Sequence, residues 1–256
     1  MSEASNQEDD EQLAEGTLIS HLLELRQRIL KALLSILVVF LCLAPFAEEV
    51  FTFVSRPLRE RLPEGATLIA TGVASPFMVP FKATMFVALF LAMPFVLYQV
   101  WQFVAPALYR SEKRFVIPLL VSSIVLFYMG VAFAYFLVIE LAFGFFVSVT
   151  PEHVVNMPDI GFYLSFVLTI FFAFGVAFEV PIATFVLVWS RLVTLEALRA
   201  ARPYVLVGAF VVGMFLSPPE VITMVSLAVP MYLLFECGLL ISRVLLPERP
   251  VECEEA

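Results

Sequence analysis

WQFVAPALYRSEKRF, residues 101–115, decides how the rest of the chain is read. Long apolar runs flank it on both sides, which makes it a short loop between two membrane spans. Its bases, Arg110, Lys113 and Arg114, follow the rule that loops left in the cytoplasm collect Lys and Arg. Glu112 has the opposite sign and is not explained by that rule. A carboxylate set among bases at the end of an apolar run is a candidate receptor for a cationic ligand.

Outward from this loop, apolar runs follow one another with short gaps. An amphipathic helix is expected from near Thr17, with Leu18, Leu22, Leu25 and Ile29 on one face and His21, Glu24 and Arg28 on another. It leads into the first span, Ile29 to Phe46. The second is Pro76 to Val100, with Pro80 and Pro94 inside it, and the third is Val116 to Phe146. The fourth, Ile160 to Trp189, contains Glu179 and Pro181. The fifth, Pro203 to Leu216, is only about 21 Å long at about 1.5 Å per residue, against a hydrocarbon layer of about 30 Å. The sixth runs from Glu220 to Ile241, its uninterrupted apolar part ending near Phe235. Local bilayer thinning is expected beside these last two. In the long loop 47–75, Val50, Phe51, Val54 and Leu58 are spaced for a short amphipathic helix stopped by Pro63, and TLIATGV (Thr67 to Val73) is β-prone. The loop is expected to fold over the outer mouth of the bundle.

The fold class is therefore an all-α integral membrane protein of six transmembrane helices, with the fifth and sixth short. Hydrophobic residues make up 61% of the 256 residues, and a soluble domain is nearer half. One membrane domain is expected over residues 17–243, between an acidic disordered cytoplasmic tail at 1–16 and a second disordered tail at 244–256. Eleven Lys and Arg side chains fall on the side of the termini and four on the other, which puts both termini in the cytoplasm. Trp101 and Trp189 then lie at the inner interface.

The net charge of -8 comes largely from the tails and gives no reason to expect nucleic acid. The first 25 residues lack a basic and an apolar region in series, so no cleavable signal peptide is expected. Cys42, Cys237 and Cys253 form no disulfide framework, and His21 and His153 have no metal-ligand spacing. No cofactor, metal or catalytic residue is expected, and without a nucleophile and base an intramembrane enzyme is disfavoured.

Glu24 and Glu112 lie at the ends of apolar runs on the same side. They read either as solvated carboxylates paired with Arg28 and Lys113, or as a shared acidic site for a guanidinium group. Glu179 is either a protonated glutamic acid bonded to a neighbouring helix or a functional intramembrane group. Glu140 and Glu236, nearer span ends, read as structural. Phe103 and Pro106 read either as the walls of a pocket beside Glu112 or, for Phe103, as a buried aromatic at the interface.

HLLELRQRI (21–29), SRPL (55–58), VASPF (73–77), YQVWQFVAPALYRSEKR (98–114), AFGVAFEVP (173–181), RPYVLVGAFVVGMFLSPPE (202–220) and PMYLLFECG (230–238) resemble the bacterial twin-arginine translocase TatC family over about residues 15–243. The resemblance implies a concave, glove-like bundle in the bacterial inner membrane. It also implies a receptor for twin-arginine signal peptides of folded precursors, working with the single-span partners TatA and TatB and driven by the protonmotive force. Several copies are expected within a complex of TatB with this subunit, surrounded by membrane lipids. By resemblance Glu24, Glu112, Arg26 and Phe103 serve signal binding, and Pro57 and Glu220 serve functional loops. Glu179 would face the concave side, and Met214, Ser217 and Met224 would dock TatA or TatB. Glu220 stands where the family often has Asp, and Met224 where it often has Gln, which removes an amide from any polar clasp. The rival reading is a proton-coupled small-solute transporter or channel built on Glu179. It differs by placing the essential charge at the membrane midplane instead of the cytoplasmic rim.

Overall fold

The computed structural model describes the backbone of residues 2–59, 69–104, 116–149, 159–216 and 221–246, with side chains omitted at 2–21, 56–59, 116, 146, 147, 149, 222 and 223. Helix α1 spans Ser2–Leu43, beginning well before Thr17. A 3-10 turn, Ala44–Phe46, leads into α2, Ala47–Arg59. Then come α3, Ser75–Val104, and α4, Val116–Phe133, which continues through a π-helical turn, Ala134–Val138, into α5, Ile139–Val149. The fourth span is two helices, α6, Ile160–Ala177, and α7, Val180–Trp189. A short α8, Leu195–Ala200, precedes α9, Arg202–Leu216, and α10, Val221–Leu245. Among the described residues five helical segments have the length and apolarity to cross a membrane, and α9 is a shorter apolar helix.

Two sequence expectations change in detail. The shortness belongs to α9, with 15 residues; α10 has 25. Glu236 lies inside α10, where its carboxylate accepts from Arg202 Nη2 and from Tyr232 Oη, each at 2.7 Å, so its charge is compensated where α9 begins. The other change is α8, which falls in what the sequence reads as loop. Its start is set by Thr194, whose hydroxyl accepts from the Ala197 N–H.

Neighbouring elements support the interruptions in the long helices. Pro94 has no N–H to offer the carbonyl of Phe90, and the Tyr128 hydroxyl of α4 donates to that oxygen at 2.9 Å. Pro181 likewise cannot bond back four residues. The helix breaks at Phe178–Glu179, where Glu179 N–H bonds to Val176 O and Ala183 N–H to Glu179 O. The segment after the break packs on α10 at Gly238, where a Cβ would collide with Thr184 Oγ1 and lie 2.9 Å from Pro181 Cα. At the α4–α6 crossing, a Cβ on Gly130 would meet the carbonyl of Phe174. Bare backbone at these two positions brings the helices together.

Packing follows an order: α1 on α3, α3 on α4 and α6, α4 on α6, α7 on α10, α10 on α9. The main buried cluster lies mid-order, around Ala83, Ala134, Val138, Val167, Ile170 and Phe174. The segment before α3 is tied to the start of α6 by one isolated bridge, Ile69 with Asp159, from the β-prone stretch, whose Gly72 and Val73 turn instead. Ile69 O accepts from Ile160 N–H at 2.9 Å, and Thr71 gives both its N–H and its hydroxyl to Asp159 Oδ2. Asp159 Oδ1 also caps α6, accepting from Gly161 and Phe162 N–H. The expected stop at Pro63 lies outside the described residues.

Candidate functional site

Two helices place the first carboxylate. Arg28 of α1 reaches Gln99 of α3, and further along Phe40 of α1 meets Phe81 of α3 at a ring-centroid distance of 6.3 Å. Sequence numbers rise on one helix as they fall on the other, so the pair is antiparallel. Glu24 precedes Arg28 by one turn, and Phe103 follows Gln99 by one turn. Both are therefore displaced by roughly 6 Å toward the same end of the bundle. The structure thus brings Glu24 and Phe103 to one level, with Phe103 half-buried. Arg26 is exposed, and two residues from Glu24 it projects from another side of α1.

The Glu24 side chain is 35% exposed and that of Arg28 23%, with Nη2 of Arg28 3.0 Å from Oε1 of Glu24. Arg28 Nη1 lies 3.4 Å from Gln99 Oε1, and Gln99 is itself buried at 4% exposure. This is the local ion pair that the (i, i+4) spacing predicts. Oε2 of Glu24 takes no hydrogen bond among the described residues. Glu112, Ser217 and Glu220 lie outside the described residues. Pro57 lies in α2 with its side chain outside them.

The second centre is Glu179, at the break between α6 and α7. It lies about 15 Å along the axis from Trp189 at about 1.5 Å per residue, well inside the apolar run. Its Oε1 is buried and has no hydrogen-bond partner among the described residues. The Ser123 hydroxyl of α4 lies beside the carboxyl group and accepts from Trp101 Nε1 at 3.0 Å. Trp101 is thus a buried donor, 7% exposed and packed with Ile182 and Val186, and not a lipid-facing anchor. Trp189 stacks on Phe185 with the rings 12° apart. The sequence reading passed over Gln99 and Ser123. Their only signal was polarity inside apolar runs, which the double serine at 122–123 carries weakly.

Of the remaining candidates, Met214 is 53% exposed on α9, while Met224 is half-buried where α10 meets Gly213. Glu140 is exposed on α5. Lys82 donates to Ser165 Oγ at 2.6 Å. Among the described residues no group of His, Cys, Asp or Glu could hold a metal ion.

The spans and their two acidic centres define a multi-span α-helical membrane protein with one carboxylate at the end of the bundle and another buried within it. Residues 20–230 match the family of the Sec-independent protein translocase protein TatC. The chain is 61% identical over 221 residues to the Sec-independent protein translocase protein TatC of Azotobacter chroococcum mcd 1, covering 86% of this chain and 87% of that one. It is 56% identical over 226 residues to that of Escherichia coli K12, covering 88% of each. The crystal structure of the twin arginine translocase receptor TatC superposes with a TM-score of 0.80 at 38% identity, covering 88% of this chain and 98% of that one. The chain belongs to the TatC family, whose members are components of a protein translocase and not enzymes.

Proposed function

We propose that this protein is the receptor and core subunit of the twin-arginine translocase in the bacterial cytoplasmic membrane, with both termini cytoplasmic. In this reading Glu24 and Glu112 take the paired guanidinium groups of Arg-Arg signal peptides on folded precursors. The observation that carries it is the Glu24 carboxylate, level with Phe103 at the end of the α1–α3 pair, one oxygen bonded to Arg28 and the other without a hydrogen bond among the described residues. A carboxylate accepts a guanidinium through two parallel bonds, and hydrogen bonds to charged groups contribute about 1.5–3 kcal/mol each. The pair with Arg28 is no obstacle, since ion pairs of this exposure are worth about 1 kcal/mol or less.

Glu112 supplies the second carboxylate from the loop that follows α3. Phe103 gives an apolar wall, and Arg26 adds positive potential that disfavours single, weakly held cations. The apolar part of the signal then lies along the helices toward Glu179, which serves a later step driven by the protonmotive force. TatA and TatB dock as single helices on α9, whose residues Tyr204, Val207, Val211 and Met214 recur at helical spacing and are all exposed. Ser217 and Met224 take part in the same docking. Pro57 and Glu220 serve functional loops of the translocase. Several copies assemble with TatB, in contact with lipid along α1 and α9.

Photo-crosslinking from positions 24 and 103 to a twin-arginine signal peptide tests this in membranes holding the full complex. Glu112→Lys is expected to abolish both crosslinks while the protein remains inserted. Unchanged crosslinking removes the proposal.

A further inference from the structure

We infer that Trp101 and Ser123 are positioning residues for Glu179: the indole N–H fixes the serine hydroxyl, and the hydroxyl holds the carboxyl group in the orientation that the later transport step uses. The inference rests on the role given to Glu179 above. Three spans meet at this point. Trp101 comes from the end of α3, Ser123 from α4 and Glu179 from the α6–α7 break. Trp101 Nε1 donates to Ser123 Oγ at 3.0 Å, and Ser123, beside the Glu179 carboxyl group, is fully buried.

The direction of the chain follows from the chemistry of its parts. An indole N–H can only donate, and a hydroxyl has one hydrogen and two lone pairs. With a lone pair given to Trp101, Ser123 keeps its hydrogen for another acceptor. Hydroxyls inside helices commonly turn back onto the carbonyl four residues earlier, as Thr84, Thr169 and Ser242 do in this bundle. At Ser123 a carboxyl group stands alongside, which accepts more strongly than a backbone carbonyl when it is ionised. Accepting from the indole also polarises the hydroxyl and strengthens its donation in a low-dielectric interior. Trp101 holds the break a second time through its ring, which is 7% exposed and shares a buried cluster with Ile182 and Val186 of α7, about one and two turns beyond Glu179. The donor and the helix that follows the carboxyl group are thus fixed to each other, and a donor fixed in advance needs no rearrangement when it is used. Any buried aromatic would supply the packing; the N–H is what makes tryptophan specific to this chain.

The test measures export per inserted molecule in vesicles holding the full complex. Trp101→Phe keeps a ring and loses the N–H, and Ser123→Ala loses the hydroxyl. Each is expected to slow export about two- to tenfold, the weight of one hydrogen bond, while signal crosslinking at positions 24 and 103 stays at the wild-type level. Residues that act through one another are not additive, so the double variant is expected to be no slower than Ser123→Ala alone. Ser123→Thr keeps the hydroxyl and is expected to export faster than Ser123→Ala. In a Glu179→Gln background neither single substitution is expected to slow export further. Slowing by the same factor in that background and in wild type overturns the inference, because the two side chains would then act by packing alone. Wild-type export in both single variants overturns it too, as does loss of the signal crosslinks. If Trp101→Phe does not accumulate, Ser123→Ala compared in the two backgrounds decides. Wild-type export by Glu179→Gln itself would instead remove the role of Glu179, whatever Trp101 and Ser123 do.

Discussion

Glu179 holds a carboxyl oxygen that is buried with no hydrogen bond among the described residues, two residues before the proline that breaks its helix. An ionisable group at this depth costs several kcal/mol unless it is paired or protonated, and such groups are kept where they act. Ser123, already accepting from Trp101, is the polar side chain beside it. Glu179→Gln preserves shape and hydrogen-bonding capacity but cannot lose or gain a proton. We expect this variant to keep signal crosslinking at positions 24 and 103 and to export precursor at a small fraction of the wild-type rate, measured in the same vesicles. Loss of the initial crosslinks would place Glu179 in recognition and end the division of labour proposed here. The Glu24–Arg28 pair was legible because both residues share one turn of one helix. Gln99 was not, because its partner lies 71 residues away and the register of two antiparallel helices is written in no local pattern.

At the level of elements, the clearest joint is Asp159, which ties the loop before α3 to the start of α6. Its pKa falls from the ordinary 3.8 to about 2, first because the Thr71 hydroxyl donates to it, then through the N–H groups of Thr71 and Phe162. A carboxyl whose folded pKa is depressed adds stability above its unfolded pKa, and that stability disappears as pH falls through the folded value. Asp159→Asn is therefore expected to lower the thermal midpoint in detergent at pH 6, with the difference from wild type shrinking between about pH 4 and pH 2. A constant difference across that range would show that the joint does not depend on the charge. The sequence announced this joint in part: the β-prone reading of TLIATGV fits the bridge at Ile69, but Gly72 and Val73 turn, and the partner at Asp159 was not legible. The α6–α7 break was not read in advance: the apolar run is continuous from Ile160 to Trp189, and Pro181 inside it does not by itself say whether the helix kinks or stops. Helix α8 went unseen because six residues with one capping threonine carry too short a pattern to stand out from a basic loop.

Across the whole molecule, helices pack in an order that leaves α1 at one end and α9 at the other, each resting chiefly on one neighbour. The apolar length of the spans fixed their number in advance. Their order did not follow from it, because every apolar face is equally suited to lipid or to another helix, and close approaches such as Gly130 on Phe174 select among them. Such an arrangement leaves long flanks open to lipid and to partner helices, with Leu30, Leu34, Leu37 and Leu41 exposed along α1. The proposed orientation rests on charge: Arg26, Arg28 and Lys31, Arg191, Arg199 and Arg202, and Arg243 lie in the segments on the side of the termini. In a chain whose Cys42, Cys237 and Cys253 are replaced, a cysteine at position 3 is expected to react with an impermeant maleimide only from the cytoplasmic side, and one at position 65 only from the other. The opposite pattern would put Glu24 on the side where folded precursors emerge, and a carboxylate there could not be the first to meet their arginines.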